Sequence, residues 1–154
     1  MVRVKTGDLL NATEKIIGHQ VNCVGAAGGL AAAVFNKYPD AKNDYYQVIN
    51  RVQAAGGFGY ALLGTAMLTG QQKDGHIISN IFGQLMPGAD YRPEDLRSAL
   101  EMLARCAKAG DWSVALPWRL SCGICGGDWT EVQQIIEETM SDVECVIYRR
   151  EGDE

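Results

Sequence analysis

"SCGICGGDW", residues 121–129, follows the apolar run Ser113–Pro117 and leads into a helical pattern. Two readings compete. In one, Cys122 and Cys125 form a redox or zinc pair; in the other, the glycines matter because the loop wraps a ligand. Redox chemistry of the thioredoxin kind places CxxC at a helix N-terminus, where the dipole lowers a thiol pKa. Here Gly126 and Gly127 separate Cys125 from the helix. A structural zinc site takes four ligands, usually as two pairs. Cys23, Cys106 and Cys145 make no second pair, and the chain has two histidines. The glycine reading is therefore preferred, and neither a metal nor a cofactor is expected.

The chain has 154 residues, 47% hydrophobic and 21% charged, which fits one globular domain over residues 1–150 with a polar tail at 151–154. Five cysteines and no export signal predict reduced thiols and a cytoplasmic protein. A net charge of −5 argues against a nucleic-acid partner. No apolar run reaches the length of about 18 residues that a membrane span needs. A monomer is expected. If the ligand is an anion, backbone N–H groups must hold it.

Val2–Lys5 alternates as a strand, and Ile16–Cys23 reads as a second, buried strand. Leu30–Tyr38 is a helix stopped at Pro39, and Asp40–Ala55 a second with Tyr45, Val48, Ile49 and Val52 on one face. Thr65–Thr69 and His76–Phe82 form a strand pair turning at Asp74-Gly75. Pro93 opens a helix carrying Leu96, Leu100 and Leu103; Ser113–Pro117 is a short strand. Asp128 with Glu131 resembles a capping box before Trp129, Val132, Ile135 and Ile136, and Glu144–Arg149 is the last strand. This alternation predicts a three-layer α/β/α domain with a central mixed β-sheet.

A second glycine cluster, "NCVGAAGGLAAAVF" (22–35), has the same layout of strand, loop and helix start. Gly25, Gly28 and Gly29 permit close backbone approach to a ligand, and the helix that follows adds a positive dipole end. A tight strand-to-helix turn without a ligand is the plain alternative. Two such loops after sheet strands, however, are placed to grip a diphosphate from two sides.

With both loops placed, the sequence resembles the macro domain, an ADP-ribose-binding fold. The likeness lies in "TGDLL", "HQVNCVGAAGGLAAAVFNKYPDAKNDY", "LLGTAML", "IISNIFGQ", "LRSALEMLA", "LSCGICGGDWTEV" and "VECVIY", in that order. More narrowly it resembles the branch holding terminal ADP-ribose–protein glycohydrolases and ADP-ribose 1''-phosphate phosphatases. The resemblance implies that Asp8 accepts from the adenine amino group with the Leu9 backbone beside it. Gly25–Ala31, with Gly28, Gly29 and Leu30, would wrap the diphosphate and distal ribose. Ser121, Cys122, Gly123, Ile124, Cys125, Gly126 and Gly127 would form the second phosphate loop. Asn22 and the strand end Asn80–Gln84 would border the distal ribose, and Tyr148 would wall the adenine.

The ligand implied is ADP-ribose or a derivative, either captured or hydrolysed. The glycohydrolases of that branch use a lysine on the strand matching "SNIFGQ" and an aspartate in the second loop. This chain has no lysine from Ile77 to Arg105, and Cys125 or a neighbour stands at the loop position. The phosphatase-like members carry a histidine three residues before the asparagine, as in His19–Asn22, which makes these two the catalytic candidates. The other reading of His19 is a core histidine, because it shares strand parity with Val21. Trp118 stands between strand and loop and could line the cleft.

Overall fold

The computed structural model describes residues 1–153; Glu154, in the expected tail, lies outside the described residues. In chain order the elements are β1 (Val2–Thr6), β2 (Ile16–Val21), α1 (Gly29–Lys37), α2 (Pro39–Ala54), β3 (Ala66–Leu68), β4 (Ile77–Phe82), α3 (Pro93–Gly110), β5 (Val114–Pro117), α4 (Trp129–Thr139) and β6 (Cys145–Arg149). One-turn 3₁₀ helices at Leu9–Asn11 and Gly59–Ala61 have no periodic signal in the sequence. Among the described residues no helix is long and apolar enough to cross a membrane.

The boundaries follow local chemistry. Pro39 both stops α1 and supplies the first residue of α2, a position where its missing N–H costs nothing. β2 ends at Val21 rather than Cys23 because the Asn22 side chain takes over the following backbone: its Oδ1 accepts from the Val24 and Ala26 N–H groups at 3.1 and 3.2 Å. Asp128 caps α4 by accepting from the Thr130 N–H at 3.0 Å. Glu131 does not complete a capping box; its carboxylate receives the Tyr91 hydroxyl instead.

The six strands lie in the order β1-β6-β5-β2-β4-β3, all parallel except β3, which runs antiparallel to β4 at one edge. Helices cover both faces, so β4 is buried along its whole length. Ile16, Ile81, Val114, Leu116 and Ile147 pack with α3 and α4 on one side, where Leu96, Leu100 and Leu103 are fully buried. Ile17, Ile78, Phe82, Ala115 and Val146 pack with α1 and α2 on the other. Each such large aliphatic side chain contributes about 1.5–3 kcal/mol of burial. Gly18 inside β2 lets Leu116 and Ile81 pack close, since a Cβ there would come within 2.9 Å of the Leu116 Cδ2 and 3.0 Å of the Ile81 Cδ1.

β2 and β5 are neighbours, but only Ile16↔Val114 and Ile17↔Ala115 are paired. Beyond that point β2 feeds α1 on one face and β5 feeds α4 on the opposite face. Neighbouring strands whose connections leave to opposite sides open a crevice at their carboxyl ends, the usual ligand position in parallel α/β sheets.

Candidate functional site

A cleft of about 510 Å³ occupies this end of the sheet, lined by Asp8, Leu9, Gly29, Leu30, Ala33, Pro117, Trp118, Tyr148, Arg150 and Asp153. It gathers residues from β1's exit, α1's first turns, β5's end and β6's end. Asp8 sits there because it caps the 3₁₀ turn: its Oδ1 accepts from the Leu10 N–H at 3.0 Å, and its other oxygen lies 3.8 Å from the Arg150 guanidinium. Tyr148 is held by its hydroxyl, which donates to the buried Glu14 at 2.6 Å. Trp118 packs against Trp129, with ring centroids 4.8 Å apart, and carries the Arg149 guanidinium over its ring at 4.6 Å.

The first glycine loop hangs on Asn22. Its Oδ1 also receives the Tyr45 hydroxyl at 2.8 Å, and its Nδ2 donates to the Ala26 carbonyl at 2.6 Å. The Gly25 N–H donates to the Tyr45 oxygen at 3.1 Å, and Gly25 takes φ +85°, which favours glycine. Asn22 is thus a buried organiser of the loop, with most of its polar capacity spent inside the chain. Residues 26–29 are exposed, and α1 begins at Gly29 behind the N-cap Gly28, which offers no side-chain cap. The first N–H groups of the helix, through Ala31, are left without an intrahelical partner and point outward at its positive end.

The second loop is tightly wound. Arg119, Ser121 and Gly126 all have positive φ, at 61°, 66° and 86°, and two of them are not glycine. The Cys122 N–H donates to the Arg119 carbonyl and the Gly127 N–H to the Ser121 carbonyl, both at 2.9 Å. Among the described residues the N–H groups of Gly123, Ile124 and Cys125 make no bond within the chain. Ile124 stands at the tip, 86% exposed. Both cysteines are buried and free; burial pushes the Cys122 thiol up to about 11, with Arg119 opposing, and its sulfur donates to the Leu120 carbonyl. These are properties of packed thiols rather than of an activated redox pair.

Of the residues expected at the site, Asn22, Gly25, Gly28, Ala31, Gln84 and the loop Ser121–Gly126 are not among the cleft's lining, and His19 and Asn80 lie in the core. His19 is fully buried: its Nε2 lies 2.7 Å from the Asn80 Oδ1, and its ring meets Phe35 edge-on at 5.3 Å. Asn80 is fully buried too, and donates through Nδ2 to the Ala41 carbonyl at 3.0 Å. That bond orients the Asn80 oxygen toward His19, so the network assigns the proton to Nε2, leaving Nδ1 unpartnered. Burial pushes the imidazole pKa down to about 4, opposed by the Asn80 bond. The ring is enclosed against Phe35 and Asn80 and is not among the residues that line the cleft. Gln84 is half-buried and accepts from Gln20 at 2.8 Å at the end of β4.

The family model described as the Macro domain matches residues 11–136. The chain belongs to the macro domain family. Among solved structures it is similar to the macrodomain of Mycobacterium tuberculosis DarG, at 28% identity and a TM-score of 0.82, covering 96% of this chain and 97% of that one. The Thermus aquaticus DarG macrodomain is alike at 26% identity and 0.81, covering 97% and 98%. Thermosipho africanus DarTG, solved in complex with ADP-ribose, shares the fold at 18% identity and 0.77, covering 95% of this chain and 41% of that one. No curated protein matched the sequence.

In this macro domain, then, Asp8, Leu9, Gly29, Leu30 and Tyr148 share one cleft, as does Trp118. Sequence reasoning missed Ala33, Pro117, Arg150 and Asp153. Ala33 had a usable signal, standing one turn after Leu30 on the same helix. Arg150 and Asp153 belong to a turn closed by the Asp153 N–H donating to the Arg150 carbonyl at 3.1 Å, and the Arg149 Nε donates to the Asp153 carbonyl at 2.7 Å.

Proposed function

We propose that this macro domain binds ADP-ribose in the cleft, with adenine at Asp8 and Tyr148 and the diphosphate between the loops Gly25–Ala31 and Ser121–Gly127. One observation carries the reading: a single cleft joins Asp8 and Tyr148 to the uncapped start of α1 and to Pro117 and Trp118, which lead into a second loop with three open N–H donors. Backbone donors reconcile a doubly negative ligand with a protein of charge −5. The relative solved with ADP-ribose supports the choice of ligand.

Capture without turnover is the better supported form. Hydrolysis of ADP-ribose 1''-phosphate, or of an ADP-ribosyl conjugate, would need a group to move a proton. The branch lysine is missing from Ile77–Arg105, the second-loop position holds Cys125 or a neighbour, and His19 is enclosed. Calorimetric titration with ADP-ribose, followed by a phosphate-release assay on the 1''-phosphate, tests both parts. Binding at a Kd on the order of 1 μM, about −8 kcal/mol, with no release is expected. Release above background would make the protein a phosphatase and return His19 to the catalytic candidates, and absence of binding would refute the reading.

Asp8→Ala should weaken ADP-ribose and AMP alike, by about tenfold, because a charge-assisted hydrogen bond is worth roughly 1.5–3 kcal/mol and Asp8 is partly exposed. Parallel titrations with the two nucleotides check this. A loss seen with ADP-ribose alone would move Asp8 away from the adenine.

A further inference from the structure

The segment Gln84–Arg92, between β4 and α3, touches both glycine loops, although it does not line the cleft and only Gln84, its first residue, belongs to a motif of the sequence. At one end the Leu85 carbonyl accepts from the Cys23 N–H at 3.0 Å and the Gln84 carbonyl receives the Cys23 thiol at 3.3 Å, which fixes the root of the first loop beside Asn22. At the other end the Tyr91 ring fills the space next to Gly127; a Cβ added at Gly127 would come within 2.8 Å of it. The Tyr91 hydroxyl donates to Glu131 in the first turn of α4 at 2.5 Å. The segment therefore spans from the foot of one loop to the foot of the other.

A single carboxylate shapes it. Asp90 Oδ2 accepts from the Leu85 N–H at 2.8 Å and the Met86 N–H at 2.9 Å, and both Asp90 oxygens lie within 3.1 Å of the Arg92 Nε. Burial alone would raise its pKa, but the Met86 N–H, the Arg92 guanidinium and the Leu85 N–H together hold it below the usual carboxylate range. Its side chain is 20% exposed, so these bonds are only partly in competition with water. The Gln84 amide adds a donation to the Met86 carbonyl at 2.6 Å. In a chain segment without helix or strand, removal of the one acceptor shared by three donors leaves the turn held only by the Gln84 amide and the Cys23 contacts.

We infer that Asp90 is a positioning residue for the diphosphate site: it folds Gln84–Arg92 into a strut that sets the separation of the two glycine loops. A ligand clasped by both loops depends on that separation, whereas one held mainly at the Asp8 end does not. The effect on affinity rests on the ADP-ribose reading; the mechanical coupling of the loops does not.

The test combines two measurements on the full chain, Asp90→Ala and Asp90→Asn. Calorimetry with ADP-ribose and with AMP should show Asp90→Ala losing tenfold or more for ADP-ribose while AMP stays within twofold. Asp90→Asn keeps an acceptor for the two N–H groups and should recover most of the loss. Amide hydrogen exchange without ligand should show the Cys23 amide and the Gly126 and Gly127 amides exchanging at least tenfold faster together in Asp90→Ala, while amides within α2 hold their rates. The strut is overturned if Asp90→Ala binds ADP-ribose like the parent, if AMP suffers equally, or if Gly126 and Gly127 exchange unchanged. Should the parent itself fail to bind ADP-ribose, the proposed function falls and the exchange data alone decide the strut.

Discussion

Asn22→Ala should abolish ADP-ribose binding to the limit of detection, a loss of at least a hundredfold, while leaving a folded protein. The Asn22 oxygen organises three donors, the N–H groups of Val24 and Ala26 and the Tyr45 hydroxyl, and its amide donates to the Ala26 carbonyl. Alanine removes all four bonds and frees Val24, Gly25 and Ala26. Fixing each of these residues again on binding costs about 1–2 kcal/mol, and a hundredfold loss corresponds to about 2.7 kcal/mol. The fold should survive because the Tyr45 hydroxyl also lies 2.8 Å from the Asn22 backbone carbonyl, which alanine retains. Calorimetry paired with a thermal melt measures both sides. Affinity within threefold of the parent would mean that the loop is shaped by something other than Asn22.

The second large effect concerns His19 and stability. In the folded protein burial holds its pKa at about 4, against 6.5 for a free imidazole. Between these values the unfolded chain takes up a proton that the folded chain refuses, so stability falls as pH drops from about 6.5 to about 4. At about 1.36 kcal/mol per pKa unit the loss is about 3 kcal/mol, a large part of a domain's net stability. His19→Gln can still donate to the Asn80 oxygen but does not titrate in this range. Urea unfolding at pH 7, 5.5 and 4 should show the parent losing about 3 kcal/mol more than the variant. Parallel curves would place His19 in contact with solvent and return it to the catalytic candidates.

The contrast between these two residues shows where sequence reading succeeds. The order of strands, helices and glycine loops was legible because each block carries its own local signal: alternation, the 3.6-residue period, Pro39 at a helix start, Asp128 at a cap. Which residues face the ligand was less legible. β2 and β4 are covered on both faces, so their residues are apolar or enclosed whichever way they point. Hence Asn80, read as part of a strand end near the distal ribose, lies in the core with His19. The parity of His19 with Val21 did carry the right information: both lie on the α1 and α2 side of the sheet. Glu131 shows the opposite failure, a local capping signal overridden by a tertiary partner, Tyr91. Arg150, Asp153 and Asp90 left no trace in any pattern, because each acts through a turn defined by its own hydrogen bonds.

The most direct measurement is an amide-resolved NMR titration of the parent protein with ADP-ribose. Shifts should concentrate at Asp8, Leu9, Gly25–Ala31, Trp118, Gly123–Gly126 and Tyr148, with the Gly123, Ile124 and Cys125 amides moving most as they gain phosphate acceptors. A concavity of about 420 Å³ at the opposite end of the strands, between Lys37–Asp40 and Gln71–Asp74, should remain silent. Shifts centred on that concavity, or a spectrum unchanged at millimolar nucleotide, would contradict ADP-ribose binding between the two glycine loops.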